Sequence, residues 1–145
     1  MHKSVIASLI ALPLVAGCGL GALFLEGESA AIWKQMQTTN YESIDFSKLG
    51  GAKWQKVCFF GPYSDSSEAE LGFNWRVSEH TDVLKSDGHN VIVFATNNEV
   101  ASFVVHSRAY GDFAKLSGKC LPRSSSRVTR EPRSDDWKSY VAKNA

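Results

Sequence analysis

The sequence predicts a single α+β domain over residues 52–121, built on a small antiparallel sheet of about four to five strands with one short helix. One observation behind this fold class is a meander over residues 81–107, in which Asp87-Gly88 and Asn97-Asn98 are residue types of tight hairpin turns. Another is the run at residues 54–60, whose apolar end is typical of a buried strand.

The elements before the meander follow from short local patterns. Residues 54–60 form the first strand, and Gly61-Pro62 ends it. Residues 64–71 form a short helix, in which Asp65 and Glu68 have the spacing of a capping box. Gly72 ends that helix, and Phe73, Trp75 and Val77 then alternate with polar residues, which predicts a second strand.

Within the meander, turn geometry predicts the strand register. Leu84 faces Val91 across the first turn, and Val93 faces Ser102 across the second. Both faces of the central strand are apolar, so we expect a second layer on each face. The helix at residues 64–71, the segment before Trp54 or a partner protein could supply that layer.

The flanks of the domain are expected to be extended. Residues 18–51 read as a tether with some local helix, and residues 122–145 as a basic polar tail. The end of the tail has the signals of a short helix, with Ser134 as cap, Asp135 in the first turn and Lys143 in the last.

Charge limits the classes of partner. The chain has 145 residues and a formal net charge of +1, which falls to about zero once Lys3 is removed with an export segment. A neutral domain has no electrostatic case for binding nucleic acid or an anionic lipid surface.

The N-terminus has the organisation of an export signal. Lys3 precedes an uncharged apolar stretch over residues 5–16, and Ala16-Gly17 lead directly into Cys18. This segment resembles the lipobox signal of bacterial lipoproteins. The resemblance implies cleavage of residues 1–17, a diacylglycerol and acyl chains such as palmitate on Cys18, and a membrane-anchored domain facing the periplasm. Gly19 after the cysteine favours the outer membrane over the inner.

Two other interpretations of the N-terminus stay open. The uncharged stretch continues to Leu25, so residues 5–25 are about long enough to remain as an uncleaved membrane anchor. Cleavage after a small residue without lipidation would instead release a soluble protein. All three interpretations place the domain outside the cytoplasm.

Cys58 and Cys120 remain for the exported domain, and an oxidising compartment favours a structural disulfide between them. A redox pair or a metal site is the alternative. Neither cysteine lies in a C-x-x-C motif, and no histidine is close to either in sequence.

Candidate sites are few, because the chain has none of the common hydrolase, nucleotide-binding or zinc-protease motifs. His80, Asp82, His89 and His106 could form a zinc site, and Asp65, Glu68 and Glu70 could supply a carboxylate pair for glycoside hydrolysis. Phe59, Phe60 and Tyr63 could line an aromatic ligand pocket, and the arginines over residues 123–133 could form a cationic surface for head groups or peptidoglycan. A structural role is the preferred interpretation of each set, and no metal or cofactor is predicted.

These observations predict a non-enzymatic binding or assembly module of the cell envelope, with an envelope protein as its partner. An immunity protein or an inhibitor of a cell-wall hydrolase or toxin, including a phage exclusion lipoprotein, is the alternative. An envelope hydrolase is the third interpretation. The segments at residues 54–63 and 71–75 resemble short uncharacterised proteobacterial lipoproteins, which implies the same location. Some lysozyme inhibitors carry an S-G-x-x-Y motif. The nearest match in this chain begins at Ser117-Gly118 but has Leu121 in place of the tyrosine.

Overall fold

The computed structural model describes residues 20–132 and 138–142, which form an α+β fold with two antiparallel sheets. The elements are helix α1 (Leu20–Thr38), strands β1 (Ser43–Asp45) and β2 (Lys56–Phe60), helix α2 (Glu68–Leu71), and strands β3 (His89–Ala95), β4 (Val100–Ser107), β5 (Lys119–Pro122), β6 (Arg127–Arg130) and β7 (Tyr140–Ala142). Side chains of α1 are described from Gly27 onward. The predicted fold class is confirmed.

The larger sheet has the strand order β4-β3-β2-β5, and both of its faces are covered. Its inner face, which includes Phe59 and Ile92, packs against α1 and against the smaller sheet β1-β6-β7. Its outer face, which includes Phe60 and Val91, packs against α2 and the loops around it. The expectation of a second layer on each face is confirmed, because β3 is buried along almost its whole length.

The hairpin β3–β4 is present, but the predicted register across it is wrong. Val93 faces Phe103 rather than Ser102, because a bulge beside Phe94 and Ala95 adds one residue to the β4 side. A shift of one residue reverses the faces of every side chain beyond it. Val104 therefore lies on the inner face with Ile92, and not on the face of Val91.

The predicted strand at residues 73–77 is a loop. The hydroxyl of Ser67 donates to Trp75 O at 2.5 Å and accepts from Val77 N at 3.0 Å. One side chain thus takes the backbone groups that a neighbouring strand would need. The predicted cap Asp65 is also wrong, since Ser67 is the N-cap of α2, whereas Gly72 ends the helix in the left-handed conformation as expected.

The meander begins later than predicted. Residues around Leu84 form a 3₁₀ turn, Val83–Lys85, that packs on the outer face instead of pairing with β3. Gly88 already continues the β3–β4 ladder, because its carbonyl accepts from Arg108 N at 3.0 Å. Asp87-Gly88 consequently leads into β3 and does not close a hairpin.

The segments expected as tether and tail belong to the fold where the structure describes them. Ile32 and Met36 of α1 are fully buried, and β1 pairs with β6. β7 occupies Tyr140–Ala142, where the sequence predicts the end of a helix. Ser134, Asp135 and Lys143 of that predicted helix, like Cys18, lie outside the described residues.

Arg123 shows why the polar segment after β5 is ordered. Its guanidinium donates to the carbonyls of Ser47, Gly51, Ala52 and Trp54 at 2.9–3.3 Å and lies 4.6 Å above the Trp54 ring. The planar guanidinium therefore ties the turn between β5 and β6 to the loop before β2.

The Cys58–Cys120 disulfide joins β2 to β5. Among the described residues, no helix has the length and apolar character needed to cross a bilayer.

Candidate functional site: an aromatic groove beside β4

A groove with a volume of about 960 Å³ runs beside the first half of β4. Residues 100–103 of β4 form its base. The loop after α2 forms one wall, and Glu28 near the middle of α1 forms the other together with Gly50 and Gly51. The groove is therefore built where the edge of the larger sheet lies between its inner and outer layers.

The outer wall is aromatic. The imidazole of His80 stacks on Trp75 with a centroid separation of 4.4 Å and an interplanar angle of 8°. Phe103 of β4 lies 5.7 Å from Trp75 and 6.1 Å from His80. Trp75 and Phe103 are half-buried and His80 is exposed, so the cluster presents apolar surface to solvent.

Local hydrogen bonds hold this wall in place. The bonds of the buried Ser67 hydroxyl to Trp75 and Val77 fix the loop against α2. Lys56 of β2 donates to Leu71 O at 2.5 Å, and its ammonium lies 5.9 Å from the Phe73 ring centroid. The wall is preformed, which lowers the entropy that binding must overcome.

The opposite wall is polar and acidic. Glu28 of α1 accepts from Gly50 N at 3.1 Å, which positions its carboxylate at the groove. Glu99, just before β4, adds a second carboxylate to the lining of the groove. The hydroxyl of Ser102 is buried at the base and has no hydrogen-bond partner among the described residues.

A smaller pocket of about 360 Å³ lies between α1 and the far end of β4. The Ser29 hydroxyl is 3.0 Å from Nδ1 of His106, and the rings of Trp33 and Tyr110 line the opening. Burial lowers the pKa of His106 to about 4, with a partial opposing effect from the Tyr110 backbone.

The Ser29–His106 pair has the donor and acceptor of a hydrolytic dyad but not its electrostatics. An efficient general base has a pKa near the working pH, and a base of pKa about 4 accepts the proton of a serine hydroxyl poorly. The pair instead ties α1 to β4 through a neutral imidazole.

The structure does not bring together the residues that were considered for a zinc site. Asn90 is the residue that faces His106 across the β3–β4 pair, so His89 and His106 point to opposite faces of the sheet. His80 is stacked on Trp75. No group of three or more His, Cys, Asp or Glu residues suited to a metal is found within residues 20–132 and 138–142.

Of the carboxylates around α2, Glu68 has structural partners, whereas Oε2 of Glu70 is buried without a hydrogen-bond partner among the described residues. Glu68 forms an ion pair of 3.0 Å with Arg76, and the Ser67 backbone N–H and Arg76 lower its pKa. Among the aromatic candidates, Phe59 and Phe60 are buried on opposite faces of the sheet. Tyr63 is exposed and its hydroxyl donates to Asp87.

Two of the arginines after residue 122, Arg123 and Arg127, have side-chain partners within the fold. Arg123 binds the four carbonyls named above, and Arg127 pairs with Asp45 at 3.1 Å. Arg133 lies outside the described residues. These contacts give the segment a structural role.

Sequence reasoning missed the groove itself. Phe73 and Trp75 carry the signal, but their alternation indicates a strand, and nothing local predicts that they face Phe103 across a loop. Glu28 is missed for the same reason, because its partner Gly50 lies 22 residues away.

Comparison of the chain with protein-family models, with curated proteins and with solved structures finds no match.

Proposed function

We propose that this chain is a lipid-anchored, non-enzymatic binding module of the bacterial cell envelope, which recognises an envelope protein through the groove beside β4. The observation that carries the proposal is the preformed aromatic wall of Trp75, His80 and Phe103. A hydrolase or toxin as the bound protein would make the module an inhibitor or immunity protein.

The chemistry of the groove supports protein recognition. Aromatic side chains supply a large share of binding energy at protein interfaces, above all in preformed pockets. Here they line a groove whose lining also includes carboxylates. The aromatic rings provide contact area, and the carboxylates orient a bound protein.

The location is supported by two separate features. The lipobox-like segment ending at Cys18 indicates export and anchoring. The Cys58–Cys120 disulfide fits an oxidising compartment, since cytosolic thiols are kept reduced.

A photo-crosslinking amino acid placed at Trp75 in cells tests the groove. We expect it to capture a discrete envelope protein. The matched position is Tyr63, an aromatic residue that is 69% exposed and lies outside the groove. Equal products from both positions, or none from position 75, would refute the groove as the binding site.

Anchoring is tested separately with Cys18→Ala. We expect this variant to lose incorporated palmitate and to leave the membrane fraction. Unchanged membrane association without palmitate in either form would favour the uncleaved anchor and remove the lipoprotein assignment.

A further inference from the structure

The free edge of β4 forms the base of the groove, and we propose that it binds an extended polypeptide by strand addition, with a basic side chain of that polypeptide meeting Glu28 and Glu99. This inference rests on the proposed function and deepens it by assigning the class of ligand. Strand addition is a common way for a sheet to bind a peptide, with main-chain hydrogen bonds providing affinity and side-chain pockets providing specificity.

The register shows which backbone groups of β4 point outward. Arg108 N donates to Gly88 O, so this opposing pair is hydrogen-bonded. Hydrogen-bonded and non-hydrogen-bonded pairs alternate along an antiparallel ladder. The pairs at His106 and Val104 therefore bond to β3, whereas Phe103 and Val105 direct their N–H and C=O groups away from the sheet.

These outward groups have no backbone or side-chain partner among the described residues. β4 is the terminal strand of its sheet, and neither the described backbone nor the side chains described from Gly27 onward form a hydrogen bond with the main chain of Phe103 or Val105 on that side. Phe103 also lines the groove, so the outward amide belongs to a residue at the base of the groove.

The two edges of the sheet differ in protection. The edge strand β5 has four residues, begins with Lys119 and ends with Pro122, and lysine and proline are residues that prevent edge pairing. β4 has eight residues and contains no charged residue and no proline. An uncharged strand of this length exposes the ladder that an added strand requires.

Side chains of an added strand would alternate between the two walls. Those on the outer side meet Trp75 and Phe103, which favours apolar or aromatic groups. Those on the inner side meet Glu28, with Glu99 at the start of β4, which favours lysine or arginine. The ligand is accordingly an extended segment in which apolar and basic residues alternate.

The same charges argue against a second copy as the occupant. Residues Val100–Ser107 include no lysine or arginine. Pairing of β4 with itself would leave the carboxylates of Glu28 and Glu99 without a basic complement from the strand.

The experiment is selection of short random peptides, displayed on phage, against the purified full chain. We expect enrichment of peptides with alternating apolar and basic residues, and at least tenfold weaker binding to Trp75→Ala. The double change Glu28→Gln with Glu99→Gln should remove the preference for basic residues.

Main-chain contacts are tested on the peptide and on the protein. N-methylation at successive positions of a selected peptide should weaken binding at every second position only. Val105→Pro, which removes an outward N–H, should weaken binding at least tenfold, whereas Val105→Ala should not. The peptide series needs no change in the protein, so it is decisive even if Val105→Pro unfolds the chain.

The outcomes separate the two proposals. Peptides that depend on Trp75 but are insensitive to N-methylation would overturn strand addition and leave the groove as a binding site. No enrichment, together with crosslinking that does not depend on position 75, would overturn both. A dimer in analytical ultracentrifugation that Val105→Pro dissociates would assign the edge to a second copy and refute the peptide ligand.

Discussion

Cys58 and Cys120 face each other directly across β2 and β5, with their Cα atoms 4.0 Å apart, although they are separated by 62 residues. On the chain-entropy model, closing a loop of this length stabilises the fold by about 4 kcal/mol. We expect the double variant Cys58→Ala with Cys120→Ala to lose about this free energy of unfolding in urea denaturation. A loss below about 1 kcal/mol would show that the unfolded chain gains little freedom when the bond is absent.

Gly50 and Gly51 form a matched pair for the packing of the inner face. Both have a positive φ, so alanine at either costs about 1 kcal/mol. A Cβ at residue 50 would also overlap the Phe94 ring, whereas a Cβ at residue 51 has nothing within 4 Å. We expect Gly50→Ala to be less stable than Gly51→Ala by about 1–3 kcal/mol in chemical denaturation. Equal losses would mean that Phe94 repacks freely.

Arg123 provides a test of a half-buried guanidinium. Lysine cannot reproduce its planar set of donors to four carbonyls and the Trp54 ring, so we expect Arg123→Lys to lower the free energy of unfolding by about 2 kcal/mol. Arg127→Lys is the control, because its ion pair with Asp45 is exposed and should cost below about 1 kcal/mol. If both variants melt at the same temperature, the Arg123 contacts do not stabilise the fold.

His106 makes stability depend on pH. Its pKa in the folded state is about 4, below the ordinary value of 6.5, so the unfolded chain binds more protons between these values. The contribution of the neutral His106 imidazole to the free energy of unfolding should therefore be fully present above pH about 6.5. It should decrease as the pH falls toward about 4, by up to about 3 kcal/mol. His106→Leu should flatten this part of the profile. An unchanged profile in His106→Leu would contradict the neutral buried imidazole.

Gly27 lies within α1, and a Cβ there would have nothing within 4 Å. Alanine loses less backbone entropy than glycine on entering a helix. Gly27→Ala should stabilise the chain by up to about 1 kcal/mol and raise its melting temperature. A lower melting temperature would indicate that the glycine has a role beyond helix propensity.

Local pattern was sufficient where an element has enough residues to show a period. The apolar end of β2, the hairpin β3–β4 and the pairing of Cys58 with Cys120 all followed from the chain alone. The register of β4 did not follow, because neither Ala101 nor Ser102 is a residue type that predicts a bulge. One inserted residue exchanges the side chains on the two faces of the strand.

Elements decided by contacts distant in sequence were not predictable. β1 and β7 have three residues each, too few for alternation to be visible, and they exist because β6 pairs with both. Arg123 reads as part of a solvated basic segment until its distant carbonyl partners are known. The groove was not predictable because its walls come from parts of the chain that are distant in sequence.

Helix α1 begins two residues after Cys18 and is anchored in the core at Ile32, about 18 Å further along its axis. In the lipid-anchored form that we propose, the connection from bilayer to domain is then a short helix rather than a flexible linker. The groove would be held at a nearly constant height above the membrane and would sample only a thin layer of the periplasm. A partner in the same membrane would meet that layer far more often than one that diffuses in three dimensions. A short helical connection would therefore favour partners in the same membrane.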